Sequence, residues 1–141
     1  MGTVKYVLLV DDETDFLFSA RIALRKSGYR VEVAASGKEA LFKILEAQDG
    51  KDPFDLLITD IRMPEMSGFD LIDAVKKCGI VTPFIAMTCF SDGELLRELK
   101  ARDCEMVIEK PFPPEELVVQ VRGVLTAGVG AIGLPGKDES A

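Results

Sequence analysis

The chain has 141 residues, 48% of them apolar, a length and composition suited to one compact domain with a sizeable core. Its formal charge of -7 excludes a surface built mainly to hold the phosphate backbones of DNA or RNA, and the lack of any histidine excludes histidine-based triads, histidine-containing metal sites and a phosphohistidine of its own. Three cysteines, Cys78, Cys89 and Cys104, show no C-x-x-C spacing, which argues against a disulfide framework or a thiolate zinc site and fits a reducing cytoplasm.

The first apolar run, residues 5–10, predicts a strand that ends on Asp11-Asp12; it is too short for a signal sequence or a membrane span, so a soluble protein is expected. Phe16, Ala20 and Ala23 then recur at helical spacing, and residues 30–34 predict the second strand. Ser36 with Glu39 has capping-box spacing ahead of a helix carrying Leu41, Ile44 and Leu45. A polar loop at 48–53 leads to a third strand, 55–59, which ends on Asp60; Ile72 and Val75 mark the next helix. Beyond a break at 78–82, residues 83–87 predict a fourth strand ending on Thr88, and Ser91 with Glu94 predicts the cap of a helix carrying Leu95 and Leu99. A fifth strand, 105–109, ends on Lys110, and Pro113-Pro114-Glu115-Glu116 opens a last helix with Leu117, Val121 and Val124. Five such alternations predict an α/β fold, a (βα)5 doubly wound parallel sheet with the apolar stripe of each helix facing it. The predicted domain covers residues 1–125. The Gly-rich 126–141 reads as a C-terminal tail or linker stub, too short to be an effector domain.

In open α/β sheets ligands bind beyond the carboxyl ends of the strands, and here those ends carry Asp11, Asp12, Asp60, Thr88 and Lys110. If strands one and three are neighbours, three carboxylates share a cleft and repel one another unless a cation lies among them. Hard oxygen donors suit Mg2+ (or Mn2+), usually held by one or two carboxylates together with phosphate oxygens. Lys110 adds a positive charge and Thr88 a hydroxyl for phosphoryl oxygens, and a carboxylate can act as nucleophile to form an acyl phosphate.

The set VLLVDDE, LLITDIRMPEMSGFDLI, FIAMT and VIEKPF, in this order over roughly residues 4–125, closely resembles the bacterial response-regulator receiver family. The resemblance implies a flavodoxin-like sheet of order 2-1-3-4-5. It implies that Asp60 is the phosphoacceptor, that Asp12 and Asp60 bind Mg2+ directly with the backbone carbonyl of Arg62, and that Asp11 helps through water. Thr88 would follow the phosphoryl group, Lys110 would pair with it, and Lys110-Pro111 matches a peptide bond that is often cis. Phe90 and Arg62 occupy positions that flank the path of the hydrolytic water. The implied donor is a sensor histidine kinase or phosphotransfer protein, and the implied outlet is a downstream protein partner on the surface of the fourth helix, fifth strand and fifth helix. The chain would then be a signalling switch rather than a turnover enzyme, a monomer or a weak phosphorylation-dependent dimer, with no direct nucleic-acid or membrane binding. One departure stands out: Val107 lies where the family usually has Tyr or Phe.

Two other classes stay open on the sequence. A metal-dependent hydrolase with an Asp nucleophile is disfavoured because Asp11-Asp12-Glu13 lacks the D-x-D spacing of haloacid-dehalogenase-type phosphatases. A receiver-like interaction module that dispenses with phosphorylation is disfavoured by the intact acids, Thr88 and Lys110, although Val107 leaves it room. Cys89 reads as a small buried hydrophobe rather than a redox sensor, and Phe90 and Phe112 read equally well as partner-facing anchors or core edges.

Overall fold

The structure, a computed structural model, describes residues 4–130. Strands and helices alternate as β1 (Tyr6–Val10), α1 (Thr14–Lys26), β2 (Arg30–Ala34), α2 (Gly37–Asp49), β3 (Leu56–Asp60), α3 (Gly68–Lys77), β4 (Phe84–Thr88), α4 (Gly93–Ala101), β5 (Met106–Glu109) and α5 (Pro114–Gly130). Every strand pair is parallel, in the order β2-β1-β3-β4-β5. This is the doubly wound (βα)5 sheet that the alternation and the resemblance predict.

Helices on both faces explain why the central strands are largely apolar, with polar residues only toward their carboxyl ends. All five residues of β3 and of β4 are buried, as are Val7 through Val10 of β1. The two-residue period sends Leu8, Val10 and Leu57 into a layer with Ile44 of α2, Leu71 and Val75 of α3, and Leu99 of α4. Val7, Leu9 and Ile58 point the other way, against Leu17 and Leu24 of α1 and Leu117 and Val121 of α5.

Several helix details differ from the sequence reading. Leu45 is exposed; the buried stripe of α2 runs through Ala40 and Ile44, and one residue beyond Ile44 is already a 100° turn off it. In α1 the buried residues are Leu17, Ala20 and Leu24, with Phe16 and Ala23 on the flanks. The cap of α4 is Asp92, whose side chain accepts from the Leu95 N–H at 2.8 Å, not Ser91. Helix α5 continues past Thr126 as far as Gly130, and residues 131–141 of the predicted tail lie outside the described residues.

The chain leaves β1 toward β2 on one side and returns to β3 on the other. That reversal opens a crevice at the carboxyl ends of β1 and β3.

Candidate functional site

The crevice is lined by acids whose backbones are fixed from several sides. Asp11 follows β1 directly; its N–H donates to the Ala34 carbonyl at 3.1 Å and its Oδ1 accepts from the Glu13 N–H at 2.9 Å. Asp60 closes β3, and the next residue, Ile61, donates its N–H to the Met87 carbonyl at 3.0 Å and accepts from the Gly68 N–H at 2.9 Å. Gly68 has to be glycine, because a Cβ there would lie 2.5 Å from the Asp60 carbonyl oxygen and 2.9 Å from Ile61 Cα, so any side chain would push α3 off the strand end. A reciprocal Ser67–Asp70 capping box then starts α3.

Asp11, Asp12 and Asp60 each offer a carboxylate oxygen, and these oxygens lie within 4.8 Å of one another. Asp11 and Asp60 are buried whereas Asp12 is exposed. Burial, then the charges of Asp11 and Asp12, push the Asp60 carboxyl up to about 6, against the opposing pull of Lys110. Burial also raises Asp11, in spite of its bonds to Lys110 and the Glu13 N–H. Hard oxygen donors at this spacing, with more negative charge than one lysine balances, fit a hydrated Mg2+ or Mn2+. The Arg62 carbonyl accepts from no backbone N–H among the described residues, which leaves it available as a further oxygen donor.

Lys110 reaches the crevice from the end of β5, where its N–H donates to the Thr88 carbonyl at 2.8 Å and its bond to Pro111 is cis. Its Nζ lies 2.5 Å from Asp11 Oδ2, 3.2 Å from Glu13 Oε1 and 3.9 Å from Asp60 Oδ2. Burial alone would lower the ammonium's pKa, but the Asp11 and Asp60 carboxylates outweigh it and the net shift is upward. Thr88 is fully buried; its hydroxyl donates to the Phe90 carbonyl at 3.0 Å and accepts from the Phe90 N–H at 3.3 Å, so it is engaged with the loop that follows β4.

Asp11, Asp12, Asp60, Thr88 and Lys110 therefore lie together at the carboxyl end of the sheet, whereas Val107 lies within β5 opposite Ala86. Three neighbours were not foreseen. Glu13 shares Lys110; Phe16, expected only as core, places its ring 5.0 Å from Lys110 Nζ; Glu109 is bonded to Ser91. Glu13 adjoins the acid pair, a proximity that the sequence did display. Phe112 packs edge-on against Phe16 with centroids 5.6 Å apart, which makes it a core edge, whereas Phe90 is 59% exposed. Cys89 is exposed, contrary to the buried role expected of it.

A family model described as the response regulator receiver domain matches residues 7–122, most of the chain and every residue of this crevice. The chain belongs to the response regulator receiver domain family. Phosphoryl transfer to an aspartate is the general function of such receivers within two-component signalling, and Mg2+ binding is typical of them. This receiver is 36% identical to chemotaxis protein CheY4 of Vibrio cholerae, with a TM-score of 0.77 covering 86% of this chain and 99% of that one. A CheY-like receiver domain protein from Methanospirillum hungatei JF-1 is 30% identical, with a TM-score of 0.77 over 88% of this chain and 95% of that one. Response regulator SaeR of Staphylococcus aureus is 30% identical over 121 residues, 86% of this chain and 50% of SaeR. The receiver thus spans about half the length of the curated relatives it matches. Family membership sets aside the haloacid-dehalogenase-type hydrolase.

Proposed function

We propose that this receiver takes a phosphoryl group on Asp60 from a phosphohistidine of a sensor histidine kinase or phosphotransfer protein, and passes the signal on through protein contacts. The observation that carries the reading is the convergence of Asp11, Asp12 and Asp60 at one strand-end crevice with Lys110 among them. A carboxyl with a pKa about 6 is mostly ionised at neutral pH, and its burial strips away water that would compete for phosphorus. An Asp60 oxygen attacks phosphorus in line as the bond from phosphorus to the donor's imidazole nitrogen breaks; the imidazole leaves and Asp60 holds an acyl phosphate. Asp12, Asp60 and the Arg62 carbonyl would hold a divalent cation, with Asp11 helping through water, and the charge it would supply when bound neutralises the phosphoryl oxygens. Lys110 swings from Asp11 to those oxygens, and Thr88 gives up the Phe90 carbonyl to donate to them. Hydrolysis by water returns the carboxylate and inorganic phosphate, so the domain is a switch and not a turnover enzyme.

The outlet assigned by this reading is the surface of α4, β5 and α5, where Leu96 and Val119 are exposed apolar residues, with Phe90 exposed in the loop that precedes α4. The chain is read as cytoplasmic and as a monomer or weak phosphorylation-dependent dimer; no helix among the described residues is long and apolar enough to cross a membrane. Incubation with acetyl phosphate and Mg2+, followed by intact mass and site mapping, should add one base-labile phosphoryl group to Asp60 in the wild type and none to Asp60→Asn. Labelling at another residue would remove the acceptor assignment, and no labelling at all would favour an interaction module that dispenses with phosphorylation.

A further inference from the structure

We infer that Ser91 and Glu109 form a latch that positions Thr88 away from Asp60 and so sets how readily the site is phosphorylated. The inference rests on the reading of Asp60 as phosphoacceptor, and its geometry is independent of any metal. The Ser91 hydroxyl donates to a Glu109 carboxylate oxygen, tying the loop after β4 to the last residue of β5. Glu109 is the register partner of Thr88, so the bond closes a short ring: Thr88, the loop to Ser91, and back across the β4–β5 pair. Inside that ring the Phe90 carbonyl takes the Thr88 hydroxyl proton at 3.0 Å. A hydroxyl has one proton to give, so Thr88 serves either Phe90 or a phosphoryl group on Asp60, not both.

While the latch is closed, Phe90 is held where it captures Thr88. Asp92, one residue on, is fixed as the cap of α4 by its bond to Leu95 N, so the slack needed to free Phe90 has to come from the Ser91 side. Ser91 itself is unused as a cap, which leaves its hydroxyl for Glu109. Neither Ser91 nor Glu109 touches the carboxylates, and both act only through Thr88. They are positioning residues that favour the resting arrangement, and opening the latch raises the fraction of molecules with Thr88 ready to turn.

The test uses the full chain with acetyl phosphate and Mg2+ as probe. Ser91→Ala and Glu109→Ala should each raise the initial rate of Asp60 phosphorylation by about three- to tenfold, the range set by the net worth of one ordinary, solvent-exposed hydrogen bond. The double variant should match the single ones, because either truncation removes the same bond. Glu109→Gln keeps an acceptor oxygen and should stay within about twofold of wild type; if it matches Glu109→Ala, the charge beside Lys110 is responsible and the latch is wrong. Multiplicative single effects, or unchanged rates, also overturn it. In unphosphorylated protein, amide exchange over residues 89–91 should be faster in both alanine variants than in wild type, and equal exchange overturns the latch whatever the phosphorylation site is. Phosphate mapped off Asp60 in wild type defeats the acceptor reading instead, so the two failures are separable.

Discussion

The carboxyl of Asp60 closes a strand buried on both faces and looks across at Asp11 and Asp12, so its charged form is disfavoured by the fold that holds it. Its pKa is about 6 when folded, against an ordinary value of 3.8, so between those values the folded protein binds more protons than the unfolded chain. Stability from this group is therefore full below pH 3.8 and declines as the pH rises through 6. In EDTA, Asp60→Asn should be more stable than wild type at pH 7.5 by about 2–3 kcal/mol, with the gap closing by pH 4. Urea denaturation at the two pH values measures this, and Mg2+ should narrow the gap at pH 7.5 by stabilising wild type alone. Equal stabilities in EDTA at pH 7.5 would show that Lys110 already balances the cluster. The identities of these residues were legible in the sequence because each ends an apolar run, a position that the parallel sheet turns into a single rim. Their partners were not legible. That Lys110 lies on Asp11 and Glu13, and that Thr88 is clasped by its own loop, depend on side-chain rotamers, which strand spacing does not specify.

At the scale of the element, the proposed switch would have to send a change at Asp60 through the approach to α4. The C-terminal end of α4 is clamped: Arg102 meets Asp73 of α3 in two bonds of 2.8 and 3.0 Å, pairs with Glu98, and lies 4.6 Å from the Phe69 ring centroid. Planar two-point pairing of this kind resists sliding. The N-terminal end depends on the Asp92 cap and on Ser91. The sequence located the helix but put its cap one residue early, because Ser91 and Asp92 are adjacent cap-forming residues and only the fold assigns the cap to one and Glu109 to the other. Val107, opposite Ala86 in the β4–β5 register, is half-buried and stiff at χ1, with no ring to turn when Thr88 moves. Phosphorylation should therefore shift backbone signals mainly at residues 88–93 and 109–111, leaving Val107 and the Arg102 end of α4 nearly still, with coupling near the low end of ~1–3 kcal/mol. Amide chemical shifts with and without a phosphate mimic read this directly; a large rearrangement centred on Val107 would contradict it.

For the whole molecule, charge decides which macromolecules the domain can meet. The formal charge is -7, and at the functional rim Asp11, Asp12, Glu13 and Asp60 outnumber Lys110. Several basic side chains are already committed to acids: Arg30 to Asp52, Lys43 to Glu32 and Glu39, and Arg102 to Asp73 and Glu98. Binding a duplex requires cations that replace the counterions of several phosphates, and each such contact steepens the loss of affinity with salt by about 0.9 in log–log slope. A surface with this balance would have to break internal pairs to supply them, while its own excess charge repels the duplex at long range. Adding one phosphoryl group makes that repulsion stronger, so phosphorylation should leave DNA binding weak. Fluorescence anisotropy with a labelled duplex should accordingly show no saturable binding of these 141 residues at ~50 mM salt, phosphorylated or not. Binding that saturates at low salt and weakens steeply by ~200 mM would mean that a basic surface forms which the composition does not reveal. Charge of this sign agrees with the proposed outlet through a protein contact, for which the exposed apolar residues of α4 and α5, Leu96 and Val119, would supply apolar area that net charge does not oppose.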